Sequence, residues 1–460
     1  MATATSEGYR LKHRLGFFLG LIAFVAILLL PRFGGIEPMA QRTLAVAALM
    51  AIWWITEAAP LAVTALLPLL LYPLLGIANA QSTAVNYGDK NIFLFIGGFL
   101  LAFGLERWGL HRRFALKIIS LIGGQPARLL FAFMLVTWFL SMWISNTATT
   151  LMMLPIGMAV LAHLTFIKDE GANAGAGHLK ELLMLGIAYA ASIGGISTLI
   201  GTPPNIILKG YLEKEFPAIS LSFAKWTAMV LPFSLVFLVI LWFYLLKVLP
   251  PGRGVEANRD YLHDFTIPGW SHLFPWPKLF HDSTVAMGMA LLCFILPADW
   301  RKGVFLLTAN EIKRLPWHII LLFGGGFALA FGIKTTHLDV FIGHQLGFLH
   351  LMPLFVVIAG IALMLTFLTE ITSNTATTSA LLPVIGPLAI PLGLNPMLLL
   401  MPATLNASFA FMLPVATPPN AIVFGSGYIR MDTMVRVGFW LNLIGVLLTT
   451  AFVMLVKGFL

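Results

Sequence analysis

The hexapeptide Ser-Asn-Thr-Ala-Thr-Thr stands twice in the chain, at 145–150 and at 373–378, each time in the middle of a long apolar stretch. A second pair keeps the same register: 94–104 (LFIGGFLLAFG) is answered by 322–332 (LFGGGFALAFG), so both pairs share an offset of 228 in sequence number. A third pair, Thr202-Pro203-Pro204-Asn205 and Thr417-Pro418-Pro419-Asn420, is offset by 215. Three matches in the same order mean that the chain holds two copies of one unit. The drop from 228 to 215 makes the first copy the longer one, and the polar segment 168–181 is the simplest place for its extra sequence.

A fold that carries these motifs has to accept small polar residues deep inside apolar sequence. Of the 460 residues, 59% are hydrophobic and 10% charged, with a mean hydropathy of +0.91, whereas a soluble domain carries about 25% charged residues. Too few polar side chains remain to cover a water-facing surface, which excludes a soluble enzyme and indicates an integral membrane protein. The apolar runs, as at 19–30 and 235–246, are continuous; a barrel would alternate over about 10 residues. The expected fold class is an all-α polytopic membrane protein of about 11 spans at about 20 residues each. Lys and Arg outnumber Asp and Glu by 28 to 19, a surplus that in a membrane protein sets loop orientation and does not argue for a nucleic-acid partner. The single cysteine, Cys293, permits no disulfide within the chain.

Arg10, Lys12 and Arg14 precede an apolar stretch at 15–31 that is long for a signal-peptide core and lacks an A-x-A cleavage pattern. It reads as a retained first helix with a cytoplasmic N-terminus. Spans at 15–31, 42–57, 60–76 and 91–106 then put the loop 107–128, with Arg107, Arg112, Arg113, Lys117 and Arg128, inside, as the positive-inside rule asks. In the second copy the basic loop, with Arg301, Lys302, Lys313 and Arg314, comes before the Gly-Gly-Phe segment, and 335–350 after it has no Lys or Arg. The two copies are therefore expected to be inverted in the membrane. Inversion needs two crossings between 226–247 and 317–334. One is clear at 284–297, and the other must come from 262–281, which Pro268, Pro275 and Pro277 interrupt. The expected organisation is an N-terminal helix at 1–40, a first repeat at 41–249, a connector at 250–282 and a second repeat at 283–460.

Ser145, Asn146 and Thr147 sit centrally in the apolar stretch 129–164, too long for one span of about 20 residues and suited to two short helices. Hairpins are expected at 127–165 and 351–392, turning at Ser145-Asn146-Thr147 and at Ser373-Asn374-Thr375. Such re-entrant hairpins are tolerated only where the tip is buried in protein or faces water. The Thr-Pro-Pro-Asn motifs break two further helices, at 183–212 and 396–426, because proline removes a donor and clashes with the preceding turn. Freed carbonyls with Asn and Ser oxygens suit a hard cation such as sodium, and half-helix N-termini with hydroxyls suit a carboxylate. Glu57 and Glu370 lie in or beside apolar spans, where acids are costly and often functional; each can relay protons or hold backbone donors, and Glu57, next to Pro60, reads as structural. His111, His163, His178 and His272 fall in or near loops without metal-ligand spacing.

Taken together, the paired Ser-Asn-Thr and Thr-Pro-Pro-Asn motifs, the Gly-Gly-Phe segments and Trp54-Ile55-Thr56-Glu57-Ala58-Ala59-Pro60 resemble the divalent anion:sodium symporter family, with its INDY-type dicarboxylate transporters. The likeness covers nearly the whole chain outside 250–316. It implies an elevator-type homodimer in which a scaffold holds two moving transport domains, in a bacterial inner membrane. Carried over by motif, it implies two sodium sites and no other cofactor: one with Ser141, Ser145, Asn146 and the carbonyl of Gly201, the other with Thr369, Thr372, Asn374 and the carbonyl of Ala416. It further implies that substrate carboxylates meet Ser145, Asn146, Thr147, Ser373, Asn374 and Thr375, with Thr202, Thr417 and Pro418 lining the same cavity. No Arg or Lys falls in these motifs, so anion binding is expected to depend on bound sodium. The segment 262–281 departs from the family, which has a well-formed helix there.

The leading expectation is a sodium-coupled symporter of C4 dicarboxylates such as succinate, acting within membrane lipid. An exchanger of dicarboxylate or citrate without net sodium flux, and a sodium:sulfate symporter, stand beside it. An intramembrane hydrolase acting through Ser145 or Ser373 lacks a base within reach; His163 falls near the far end of the half-hairpin that Ser145 begins. The Arg or Lys rings common in anion channels and the G-x-x-x-x-G-K-[ST] loop of ATP-driven pumps are both missing from the sequence.

Overall fold

The computed structural model describes residues 11–31, 34–109, 125–162, 165–166, 172–250, 255–256, 282–299, 304–345 and 351–459. The segment 262–281, on which the second connecting crossing was placed, lies outside the described residues, as do His111, His163 and His272.

Apolar sequence rich in Leu, Ala, Met and Phe folds here into helices, bounded mostly by proline and small polar residues. After the N-terminal helix α1 (Leu11–Leu29), the first copy runs α2 (Pro38–Thr56), α3 (Leu61–Ala65), α4 (Leu67–Leu74), α5 (Ala80–Ala84), α6 (Lys90–Arg107), α7 (Pro126–Ser141), α8 (Asn146–Ala162), α9 (Ala172–Gly195), α10 (Pro203–Glu215) and α11 (Phe223–Val248). The second runs α12 (Asp282–Ile295), α13 (Ala309–Lys313), α14 (Trp317–Thr335), α15 (Leu338–Gln345), α16 (Leu354–Thr369), α17 (Asn374–Ile385), α18 (Met397–Asn406), α19 (Pro418–Phe424) and α20 (Met431–Val456). Pro38, Pro126, Pro203 and Pro418 each begin a helix, where the missing N–H costs nothing. Ser222 caps α11 by accepting the amide of Lys225 at 3.1 Å. The departure from an all-helical chain is small: β1 (Thr165–Phe166) pairs with β2 (Val255–Glu256) and β3 (Pro297–Asp299) with β4 (Val304–Phe305).

Among the described helices, α2, α11, α14 and α20 are long and apolar enough to cross a bilayer. The arms α7 and α8 hold 16 and 17 residues, and α16 and α17 hold 16 and 12. At 1.5 Å per residue none exceeds about 26 Å, short of a hydrocarbon core of about 30 Å. Each pair packs arm against arm as a hairpin. α9 and α10 form one interrupted helix, and α18 and α19 form the other. Since α9 begins at Ala172 and has 24 residues against 10 in α18, much of the segment 168–181 extends this helix.

The duplication is visible in how the helices meet. A Cβ at Gly97 of α6 would lie 2.7 Å from the backbone of Ala286 in α12, and one at Gly325 of α14, its counterpart in the second copy, would lie 2.5 Å from the carbonyl of Ala65 in α3. Each Gly-Gly-Phe helix thus lets a helix of the other copy approach to backbone contact. The halves are tied across the centre by Tyr189, whose hydroxyl donates to the carbonyl of Phe411 at 2.7 Å. Trp54 and Trp226 donate their indole N–H to the carbonyls of Leu61 and Ile196 at 3.2 and 3.0 Å, as polar groups away from water must. One large core joins the hairpins, the broken helices, α11 and α20; a second joins α2–α4 to one face of α14. Leu15, Phe18, Ile22 and Leu29 of α1 are exposed and suit contact with lipid.

Candidate functional site

Both hairpin tips and both helix breaks converge on one cavity of about 540 Å³. Ser145, Asn146, Thr147, Thr202, Ser373, Asn374, Thr375, Thr417 and Pro418 all line it, together with Gly201, Thr372 and Ala416. Ser141 and Thr369 stand behind this wall, fully buried. The first residues of four helices, Asn146 of α8, Pro203 of α10, Asn374 of α17 and Pro418 of α19, lie at the cavity, so four positive dipole ends face one space. α10 and α19 open with two prolines each and offer few N–H groups. Hydrogen-bond donation to an anion therefore falls to the tips.

The ground behind the tips is rich in acceptors. The Ser141 hydroxyl lies 2.7 Å from Asn146 Oδ1 and also 2.7 Å from the carbonyl of Ala191. In the second copy, the Thr369 hydroxyl lies 2.5 Å from Asn374 Oδ1 and 2.9 Å from the carbonyl of Ala407. A hydroxyl has a single proton, so at each tip two carbonyl-type oxygens compete for one donor. Gly201 adds to the crowding: a Cβ there would lie 2.4 Å from the carbonyl of Gly195 and 2.9 Å from that of Ser141. Neutral oxygens in excess of donors are the donor set that a hard cation takes, so the residues fit sodium.

The breaks repeat in detail. Thr202 and Thr417 have nearly the same backbone, φ −143°, ψ 142° and φ −140°, ψ 149°. Asn205 Nδ2 donates to the carbonyls of Gly195 and Thr198 at 3.3 and 2.7 Å, and Asn420 Nδ2 to those of Ala410 and Leu413 at 2.8 and 3.0 Å. Every one of these partners is related by the offset of 215. The copies differ behind the break. Glu370 accepts the amides of Met412 and Leu413 at 2.9 and 3.0 Å and Asn442 Nδ2 at 2.6 Å. Its counterpart in the first copy is Met142, whose carbonyl accepts the Thr198 hydroxyl. Asn442 is the twelfth residue of α20, and Ser234, the twelfth of α11, sits 2.6 Å from Ser197. Glu370 thus serves as a holder of backbone donors, one of the two roles open to it from sequence.

Glu57, read from sequence as structural, borders the cavity. It ends α2 in the left-handed region at φ 53° and is exposed, with its side chain on the cavity. His13 and His318 line the cavity too. Sequence reading passed over both, because neither lies in a repeated motif. These three are the titratable groups of the described lining, and no Lys or Arg is among it.

A many-helix membrane protein whose duplicated tips meet at one cavity with no Lys or Arg among its described lining has the architecture of a transporter. The profile of the citrate transporter family matches residues 51–393. The sodium-dependent dicarboxylate transporter SdcS of Staphylococcus saprophyticus is 38% identical over 475 residues, covering 96% of this chain and 91% of that protein. The protein of the same name from Staphylococcus aureus is 39% identical over 468 residues, covering 94% and 89%. The chain belongs to this family of divalent-anion transporters, and it is an integral membrane transporter and not an enzyme. In fold it is similar to the YdaH transporter of Alcanivorax borkumensis, with a TM-score of 0.52 at 13% identity over 85% of this chain and 89% of that one.

Proposed function

We propose that the chain is a sodium-coupled symporter of C4 dicarboxylates such as succinate. The observation that carries this reading is the pairing of two Ser-Asn-Thr tips, each backed by surplus oxygen acceptors, around a cavity whose described lining holds no Lys or Arg. Two separate tips offer donors to two separate carboxylates, from Thr147 and Thr375 hydroxyls and the amides of Asn146 and Asn374. With no Lys or Arg among the described lining residues, sodium beside Ser141, Ser145, Asn146 and Gly201, and beside Thr369, Thr372, Asn374 and Ala416, supplies the countercharge. Anion affinity then requires cation binding, which is the physical content of coupling. Relatives named as sodium-dependent dicarboxylate transporters, similar over nearly the full chain, support the same reading.

In this account the hairpins and broken helices move together as a transport domain against a scaffold that includes α1–α6, and two chains assemble as a homodimer in a bacterial inner membrane, with the N-terminus cytoplasmic. The repeats at 41–249 and 283–460 are inverted. The test is uptake of radiolabelled succinate into proteoliposomes under an inward sodium gradient, against a potassium control. Uptake into empty vesicles that requires sodium, and is lost in Asn146→Ala and in Asn374→Ala, is expected. Uptake without sodium, seen only in succinate-loaded vesicles, would replace the symporter with an exchanger. The description of the matching family, citrate transporter, makes citrate the first competitor to add, and sulfate the second.

A further inference from the structure

Three helices that wall the cavity at one end meet again at the other. Pro203 of α10 lines the cavity, and Glu213 lies ten residues further along the same helix, about 15 Å away at 1.5 Å per residue. Phe95 and Phe99 of α6 line it, and Lys90 begins that helix; His318 and Leu322 of α14 line it, and Lys334 stands near that helix's end. At the far ends charges interlock. Glu213 takes Asn91 Nδ2 at 2.8 Å, Lys90 at 3.2 Å and the buried Lys209 at 3.3 Å. Lys214 reaches Asn86 at 2.8 Å and Asp89 at 3.6 Å, and Lys334 reaches Glu215 at 3.3 Å and the carbonyl of Lys214 at 3.2 Å. Beneath them Phe327, whose ring centre is 4.6 Å from Lys214 Nζ, packs on Gly210, and Phe95 meets Phe323 edge-on at 4.9 Å.

The repeat shows what this seam corresponds to. At the offset of 228, Lys90 and Asn91 become His318 and Ile319, which line the cavity. At 215, Lys209, Glu213 and Lys214 become Phe424, Tyr428 and Ile429, and Glu215 becomes Arg430, which pairs instead with Asp432 two residues on. The charges are thus confined to the first copy: of their second-copy counterparts, His318 and Ile319 line the cavity, while Tyr428 lies under Lys180 Nζ at 5.3 Å. Separating partly buried pairs leaves unpaired charge, which is costly.

We infer that this seam is an ionic latch: it shuts the substrate site on the face away from the cavity mouth and must part before the site opens there. Because only one copy carries the charges, the latch also biases the resting protein toward the conformation described. The inference rests on the transport reading above. Its test uses the full-length Cys293→Ser protein with Phe99→Cys as a reporter, labelled by a membrane-impermeant maleimide from each face of oriented vesicles. Neutralising the seam with Glu213→Gln, or with the more exposed Lys334→Gln, is expected to raise labelling from the seam face about five-fold, and the swap Lys90→Glu with Glu213→Lys is expected to return it to the parent level. Bridging Lys90→Cys to Glu213→Cys with a bifunctional methanethiosulfonate, in protein lacking the reporter, is expected to stop uptake until reductant is added. Seam-face labelling unchanged by both neutralising variants, or full uptake in the bridged protein, would overturn the latch. Labelling needs no substrate, so a protein that takes up no dicarboxylate would refute the dicarboxylate reading and leave the latch to be decided by labelling alone.

Discussion

The tips work through single atoms, and the sharpest expectations lie at Ser141 and Glu370. The Ser141 hydroxyl does not reach the cavity; it fixes Asn146 Oδ1 from behind. Supports of this kind shift metal affinity by about 10- to 100-fold when removed. Ser141→Ala is therefore expected to raise the sodium concentration for half-maximal uptake at least about ten-fold, with Thr369→Ala doing the same through Asn374. Unchanged sodium dependence in both would remove these hydroxyls from the cation sites. Glu370 holds two amides and one side-chain amide, and a buried donor left without its acceptor costs about 1–3 kcal/mol. Glu370→Ala should lower the unfolding temperature in detergent markedly, and Glu370→Gln, which keeps one acceptor oxygen, should lower it less. Equal effects would argue against the donor-holding role. Gly201→Ala places a methyl group 2.4 Å from the Gly195 carbonyl, and loss of sodium-dependent uptake is the expected readout.

Two elements, the interrupted helices, carry the site because proline and asparagine act in turn. The prolines end the hydrogen-bond ladder, and Asn205 and Asn420 then collect the released carbonyls with one NH₂ group each. Asn205 Nδ2 also donates to the Ile196 carbonyl at 3.1 Å, whose counterpart at Phe411 takes Tyr189 instead, but the outer partners match at the offset of 215, so Asn205→Leu and Asn420→Leu should lower the unfolding temperature by similar amounts; a large difference would mean that the two breaks are not equivalent supports. The breaks and tips were legible because they are short, repeated and polar in apolar surroundings. The cavity rim was not. His13, Glu57 and His318 come from the ends of α1, α2 and α14, elements whose sequence says only that they are apolar, and their convergence depends on how the helices pack. The same holds for Glu370: its acid was visible in the sequence, but its partners at Met412, Leu413 and Asn442 lie 42 to 72 residues away.

For the whole molecule, the membrane class and helical fold followed from composition, because 10% charge over 460 residues leaves no alternative surface. The two-copy plan followed from three short matches, and the backbone contacts at Gly97 and Gly325 repeat it in three dimensions. What composition could not supply is the sign of the coupling. If the countercharge for the anion is sodium and nothing in the protein, sodium and dicarboxylate must tighten each other's binding by the same factor. The direct test is succinate binding to the purified protein, followed by thermal stabilisation or calorimetry, in sodium and in matched choline. The account predicts that succinate binds at least about ten-fold more tightly in sodium and that Asn146→Ala combined with Asn374→Ala removes the difference. Equal succinate affinity in sodium and in choline would contradict it.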